Sequence, residues 1–565
     1  MRPMIKKRRM SAPYREASSR LKRLLSEGGV VEGSLYRGGP REHAAPPAVG
    51  PRDGEVPEHL RSSGLRPGRG GLVGEVGRGE AAYEGDERDR TVGARGRHHG
   101  KDGAKDSRRP RKRTGRRPAE TPDGEEALEE LTGFLPRFCR ILNPVFDRIH
   151  KVRDESKCLY EGRTFLWTFI LGFIGRLGSR NSMDALRDDE RWADAVHKLA
   201  EQDWWVEGEK RTTPCSLSIC NYLSRGCTAV LEQALVDIVA YMMRLKMFDN
   251  ARFRGMFVVA VDGTKQERIR CCKWPGNRAN RYVLEAKLVT PWGSAYSIMS
   301  VPIKPWHDGN EDEKQDSEHH GFLRLAPMLK AAFPHLGICI LGDGLYACAP
   351  LMRLCEKYGW EYIFTFKEGR TPKAYSDAQD LMAQHPSNSG ALVRHDARGK
   401  RVECGTVAWA TGVEITRGSD DWHVFNVVRV SEDDSNGSPY EGQFATSLEV
   451  RDLKEADSVG MWGRRRWGIE SSFHVEKNDG YGLEHNFCNK ARVSRNIYLL
   501  MQIAHNLWQL FNSGCLQPLE KRHKYRNMTQ VKWAELIRFT IMKVGIALAL
   551  DEIPRRYISR EFLML

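Results

Sequence analysis

Arg466, Glu470 and Lys477 lie in the segment RRRWGIESSFHVEKNDG. Their spacings of four and seven place one carboxylate between two cations on a single helix face. Two chemistries fit that pattern. One is a solvated face of surface salt bridges, which is the commoner use of such a stripe. The other is a carboxylate that ligates a metal ion while the cations grip a phosphodiester. Two aspartates upstream shift the balance toward the second. Asp262 in MFVVAVDGT and Asp343 in HLGICILGDGLY each close an apolar run and precede a glycine. One such aspartate alone reads as a turn residue. Two of them, projecting from the carboxyl ends of buried strands where α/β sheets collect their sites, can share a divalent ion. Glu470, on a helix packed across the sheet, completes the set. Oxygen-only ligands suit Mg²⁺ or Mn²⁺. Two such ions about 3.5–4 Å apart would activate a water or a 3′-hydroxyl on one side and stabilise a leaving oxygen on the other.

Those residues need strands and helices to position them. The run MFVVAVDGT reads as a buried strand with a turn at its end, and RYVLEAKLVTPWGSAYSIMSVPI as two strands joined at Pro291-Trp292-Gly293. After a polar loop, SEHHGFLRLAPMLKAAF reads as a helix, HLGICILGDGLY as a strand, PLMRLCEKYG as a helix and WEYIFTFKEG as a strand. The order β-β-β-α-β-α-β predicts an α/β core with mixed strand directions. Residues 373–450 carry RVECGTVAWATGVEI, WHVFNVVRV and GQFATSLEV between polar turns and read as an antiparallel β insertion, whose last strand, about 442–449, rejoins the core. The helix of Glu470 follows, then helices at 491–512 and about 528–550. Ahead of the first strand, a stripe from Leu128 to Ile149 and further helical stretches at about 161–177, 183–202 and 216–247 form a helical region. The expected organisation is therefore a basic extension over 1–125, a helical region over 126–250 and a core over 251–372. The β insertion covers 373–450, the second part of the core 451–515, and a C-terminal helical region 516–565.

Composition narrows the partners. The 565 residues carry a formal charge of +15, which points to a polyanion, most often nucleic acid. Residues 1–125 hold 29 Lys and Arg against 18 Asp and Glu, a net of +11, so the rest of the chain is only mildly basic. That segment also holds 21 of the 53 glycines and shows little apolar periodicity, so it is expected to be disordered. Its run RRPRKRTGRRP at 108–118 is either a phosphate-binding arm or a solvated tail. The thirteen cysteines show no CxxC spacing, which excludes an obvious zinc site and a disulfide framework. The longest apolar run, TFLWTFILGFIG at 164–175, is too short to span a bilayer and reads as a buried helix. The basic start lacks the apolar stretch of a signal peptide, so a cytoplasmic protein is expected.

The segments VVAVDGTK, ICILGDGLYACAP and RRRWGIESSFHVEK resemble the three acidic motifs of the DDE transposases of bacterial insertion sequences. The group resembled is the insertion-sequence-4-like one, marked by a Tyr-Arg-Glu-Lys signature, and the resemblance spans about residues 126–515. Arg466, Glu470 and Lys477 match the signature's spacing; its Tyr position falls on Gly463, with Trp462 beside it as a substitute aromatic. The resemblance implies a ribonuclease-H-like core interrupted by a β insertion between the second Asp and the Glu. It implies Asp262, Asp343 and Glu470 as catalytic metal ligands for two Mg²⁺ or Mn²⁺ ions, with Arg466, Lys477 and Trp462 at the DNA phosphate. It also implies cut-and-paste transposition by a homodimer acting on double-stranded terminal inverted repeats and target DNA, near the bacterial nucleoid. Two alternatives stand beside it: a metal-dependent nuclease on the same core, and a decayed or domesticated DNA-binding protein.

Other residues carry weaker signals. Asp308, Glu311 and Asp316 in the polar stretch before the second aspartate read as loop acids, and His319 and His320 as solvated side chains. Lys367 is either a DNA contact or a plain surface lysine. Trp409 and Trp422 fit stacking on an extruded base or, more simply, packing of the insertion. Trp292 reads as a hairpin aromatic. Tyr481 and His485 are placed near the site by their position just after Lys477.

Overall fold

The computed structural model describes residues 124–149, 158–202, 208–270, 278–306, 311–395, 401–416, 422–434, 440–520 and 528–546. The basic run at 108–118 and Asp308 lie outside the described residues, as do the side chains of Glu311 and Asp316. The chain enters through helices α1 (Gly124–Phe146), α2 (Gly162–Ile174), α3 (Arg180–Asp184), α4 (Glu190–Leu199), α5 (Ser216–Leu223) and α6 (Thr228–Arg244). The apolar run at 164–175 forms most of α2, which is buried from Thr164 to Ile174. It is a core helix, and among the described residues no single helix is long and apolar enough to cross a membrane. The helix expected over 216–247 is two helices bent by 94°, because Gly226 between them takes a φ of +119°.

Among the described residues nine strands follow: β1 (Phe257–Arg270), β2 (Arg278–Val289), β3 (Ala295–Trp306), β4 (Ile338–Gly342), β5 (Glu361–Thr365), β6 (Ser389–His395), β7 (Arg401–Thr416), β8 (Trp422–Asp434) and β9 (Tyr440–Thr446). They form one sheet in the order β3-β2-β1-β4-β5-β9-β8-β7-β6. Pairing is antiparallel from β3 to β1, parallel from β1 through β4 to β5, and antiparallel again from β5 outward. The first five strands have the ribonuclease-H-like order. The strands of 389–446 extend the same sheet, with β9 paired to β5. Residues Pro372–Gln384, expected to begin the antiparallel stretch, instead form a helix, α9. Two further helices precede it, α7 (Glu311–Ala332) and α8 (Ala349–Lys357), and α7 takes up the expected polar loop at 311–320. After β9 come α10 (Leu453–Arg464), α11 (Trp467–Asn478), α12 (Ala491–Phe511), α13 (Gln517–Glu520) and α14 (Gln530–Val544).

Strand alternation sorts the sheet's two faces. Val259 and Val261 of β1 and Ile340 of β4 join the core shared with α7 and the N-terminal helices. Val258 and Ala260 of β1, with Cys339 and Leu341 of β4, face a second core closed by Ala456 and Val459 of α10 and by Ile469 and Phe473 of α11. The same period puts residues 262 and 343 on the α10–α11 face.

Helix α10 lies so close to the sheet that its glycines have no room for a side chain. A Cβ on Gly463 would stand 2.5 Å from the ring of Phe444 on β9. The tyrosine that the signature expects here is therefore sterically excluded. Its neighbour Trp462 packs against Phe253 with ring centroids 5.5 Å apart, as part of the second core. Gly463→Tyr is expected to lower the melting temperature by several degrees, since overpacking of this kind costs about 1–3 kcal/mol. An unchanged thermal unfolding curve would show that α10 can lift off the sheet without penalty.

Candidate active site

Strand β1 does not turn at Asp262-Gly263. It runs on to Arg270, held by β2, with Asp262 opposite Glu285. What ends at this point is the parallel pairing with β4, whose last partners are Ala260 and Leu341. Carried on by two residues, that register sets Asp262 abreast of Asp343, the first residue beyond β4. Neither short side chain has the sheet on both sides any longer. Each uses one oxygen locally: Asp262 Oδ1 accepts from the Gly263 N–H at 2.9 Å, and Asp343 Oδ1 from the Leu345 N–H at 2.9 Å.

Helix α11 brings Arg466 and Glu470 to the same place. Arg466, the residue just ahead of the helix, reaches Glu470 Oε1 at 2.6 Å and Asp262 Oδ2 at 3.8 Å with the same nitrogen. Burial pushes the Asp262 carboxyl up to about 7, and Asp343 and Glu470 add to the rise, against Arg466 and the Gly263 N–H. One guanidinium therefore does not balance the carboxylates around it. Nearby, the hydroxyl of Tyr346 is buried and has no hydrogen-bond partner. Burial, together with Glu318, Asp262 and Asp343, pushes this phenol well up.

An uncompensated pair of carboxylates with only oxygen donors fits a hard divalent cation. The three acids are not yet gathered, however. Among the described residues, no three His, Cys, Asp or Glu side chains stand close enough together to hold a metal ion. Glu470 is committed to Arg466 instead.

Lys477 does not frame Glu470 as its spacing suggested. Its ammonium pairs with Glu484 at 3.3 Å, and Lys265 of β1 reaches the other oxygen of the same carboxylate at 3.3 Å. Trp462 is half-buried and packs against the second core through Phe253. The exposed aromatic at the head of α11 is Trp467, over whose ring the Arg466 guanidinium sits at 5.6 Å. Tyr481 is fully buried beneath the guanidinium of Arg176, and His485 stacks edge-on against Phe487. Trp409 is buried in the second core, while Trp422 and the hairpin residue Trp292 are exposed. Lys367 is exposed, with its stem passing Gly344 beside Asp343.

Two supports of the site carried no readable sequence signal. One is α7. Glu318 is buried against Gly263, where a Cβ would stand 2.5 Å from its carboxylate. The next residue, His319, is bound rather than solvated: its Nε2 donates to the Leu345 carbonyl at 2.6 Å, because a carbonyl can only accept. Consecutive residues of one helix thus brace the backbone beside both aspartates, while His320 is exposed.

The other support is a buried ionic cluster beneath α11. Glu285 and Lys287 of β2 face Ser472 and Glu476 of α11 and Tyr498, Gln502 and His505 of α12. Lys287 and Glu476 pair directly and both are fully buried. Burial alone would raise the Glu476 carboxyl, but Lys287 and the His505 hydrogen bond outweigh it and hold it low. Burial keeps His505 below the usual histidine range, so it is neutral and donates from Nδ1 to Glu476 at 2.7 Å. Glu285, second in line for the same lysine, is pushed up to about 7 by burial. Lys287 and Glu476 oppose each other directly, and burial favours the protonated form of Glu285 beside them.

Comparison with known proteins adds one positive finding. Residues 313–507, from α7 into α12, match the family model of the transposase DDE domain. The match includes Asp343, Arg466, Glu470 and Lys477, begins after Asp262, and covers less than half of the chain. It supports a DDE transposase function in general terms. No curated protein matches the sequence. Among solved structures, the cryo-EM structure of a piggyBac transposase synaptic complex with hairpin DNA is similar at 10% identity, covering 79% of this chain and 85% of that one. Its TM-score of 0.31 is too low to add to the argument.

Two outcomes follow from the electrostatics. The Asp262 carboxyl titrates near 3.8 in the unfolded chain and at about 7 in the folded one, so the native state holds the extra proton between them. Stability is therefore lost as pH rises through that window, by no more than about 4 kcal/mol. In chelator, Asp262→Asn is expected to raise the melting temperature at pH 8 and to leave it unchanged at pH 4; an equal effect at both would refute the raised carboxyl. Lys287→Met strands Glu476 and is expected to cost about 3–5 kcal/mol in denaturant unfolding. Lys287→Met combined with Glu476→Leu is expected to recover most of that loss, and no recovery would mean that the pair is not the source.

Proposed function

We propose that this chain is a DDE transposase of a bacterial insertion sequence, cutting DNA at the element's ends and joining the freed 3′-hydroxyl to target DNA. The observation that supports this reading is Arg466, which reaches both Asp262 and Glu470 beside the parallel β1–β4 pairing that leads to Asp343. Bacterial insertion-sequence origin, terminal inverted repeats, a homodimeric synapse and action at the nucleoid belong to the same reading, and rest on the motif resemblance.

Asp262 and Asp343 would hold a divalent ion, Mg²⁺ or Mn²⁺, with Glu470 completing the set. Bound there, such ions supply polarisation of the phosphodiester and activation of the attacking oxygen. The residues of the chain do the rest. Asp262, whose carboxyl is pushed up to about 7 by burial, Asp343 and Glu470, would be held in its charged form by a bound cation. Arg466 is shared unequally between Glu470 and Asp262, so an incoming phosphate competes with Glu470 for the same guanidinium. Exchange of that partner frees Glu470 at the moment when DNA is in place. Arg466 then acts as a coupling between DNA binding and assembly of the acidic site.

The decisive assay offers duplex DNA ending in the element's own inverted repeats, with Mg²⁺. The unaltered protein is expected to cut at the repeat and, given a pre-cleaved 3′-hydroxyl end, to join it to a plasmid. Asp343→Asn and Asp262→Asn are each expected to reduce both steps by at least about a thousandfold, roughly 4 kcal/mol of barrier. Retained Mg²⁺-dependent cutting by Asp262→Asn would overturn the assignment, and cutting without joining would favour a stand-alone nuclease.

A further inference from the structure

Glu484 holds two lysines, and both lysines belong to elements that carry site residues. Lys265 lies three residues beyond Asp262 on β1, and Lys477 lies seven beyond Glu470 on α11. Each ammonium reaches one oxygen of the Glu484 carboxylate at 3.3 Å. We propose that Lys265 joins Lys477, for which the family resemblance already implies a phosphate contact, as the second arm of a clamp for a DNA backbone phosphate, and that Glu484 occupies this clamp in the DNA-free protein. The proposal rests on the transposase reading and deepens it by naming that second arm and the occupant.

The chemistry of the occupant matches. A carboxylate and a phosphodiester each carry one negative charge on two exposed oxygens, so one can replace the other between two ammonium groups. The three side chains keep 31–42% of their surface in solvent, so the lysines are accessible to a ligand from outside. Ion pairs this exposed are worth at most about 1 kcal/mol each, which makes Glu484 an easily displaced occupant. A DNA phosphate brings a further gain, because binding it releases condensed counterions.

The geometry also fits. Seven residues of helix span about 10 Å. Three residues of strand span about the same distance. Both lysines therefore stand roughly 10 Å along the backbone from the acids of their own element, with Lys265 leaving β1 on the face opposite Asp262. Only a side chain has to move to open the clamp. The backbone around Glu484 is pinned on both sides, by Leu483 N–H on the Glu476 carbonyl at 3.0 Å and by His485 N–H on the Gly482 carbonyl at 2.9 Å. Gly482, with φ at +74°, sits where any Cβ would strike the Gly178 carbonyl, which locks this loop against the segment after α2. Glu484 can thus swing away while its loop stays in place.

The test measures binding of the full-length protein to a fluorescently labelled DNA duplex by anisotropy, in Ca²⁺ or chelator so that no strand is cut. Glu484→Gln is expected to bind at least about threefold more tightly than the unaltered protein at low salt, because both lysines are freed. Lys265→Ala is expected to bind at least about threefold more weakly and to lower the slope of log K against log salt by about one. Lys265→Ala added to Glu484→Gln is expected to remove the gain. Equal or weaker binding by Glu484→Gln, with an unchanged melting temperature, would overturn the clamp. So would an unchanged salt slope in Lys265→Ala. Failure of the unaltered protein to bind DNA at all would instead refute the transposase reading itself.

Discussion

The Lys287–Glu476 pair sets the height and rotation of the helix that delivers Glu470 and Arg466. Both side chains are fully buried, and the pair joins β2 to α11 at a point six residues from Glu470. A charge in such a place is costly unless it is matched and hydrogen-bonded. Here Ser472, Gln502 and His505 supply the remaining bonds. An apolar contact would tolerate sliding of the helix by a fraction of a turn. A buried ion pair does not, since any slip leaves an unpaired charge in a dry interior. The directional constraint comes from that penalty, whatever the net contribution of the pair to stability.

The sheet beneath α11 is correspondingly divided. Under the central strands β1 and β4 its face is apolar, with Val258, Ala260, Cys339 and Leu341 meeting Ile469 and Phe473. Under β2 and β3 it is polar, with Glu285, Lys287, Ser297 and Ser300 meeting α11 and α12. The apolar half supplies burial, and the polar half supplies register. The acids stand just past the apolar half, where the parallel pairing stops. Burial raises the Asp262 carboxyl there, and the guanidinium of Arg466 only partly offsets the crowd of negative charge. The chain stores this electrostatic tension because fixed strands and a seated helix hold the acids in place.

Much of the central fold was legible because strand and helix periods are local properties. The buried strand that carries Asp262, the one that ends just before Asp343, the Pro291–Gly293 hairpin and the helix of Glu470 all come from runs of apolar residues and turn chemistry. The errors were local as well. β1 continues past Asp262-Gly263 because β2 offers it partners as far as Arg270, which no feature of β1 itself encodes. The polarity of 311–320 predicts a loop, yet the segment forms the first turns of α7. Glu318 and His319, placed there, turned out to brace the backbone next to both aspartates.

The sequence by itself determined the identities and spacing of Asp262, Asp343, Arg466 and Glu470, and the α/β class of the core that carries them. Those follow from residue chemistry and from periodicities of two and about 3.6 residues. Tertiary structure decided which of these groups are partners. It paired Arg466 with Glu470 and turned Lys477 away toward Glu484 and Lys265. It excluded a side chain at Gly463, where Phe444 already fills the space. It also assembled Lys287, Glu476 and His505 from segments up to 218 residues apart in the sequence. Ion pairing and steric exclusion act through distance in space, and spacing along the chain constrains that distance only within a single helix or strand.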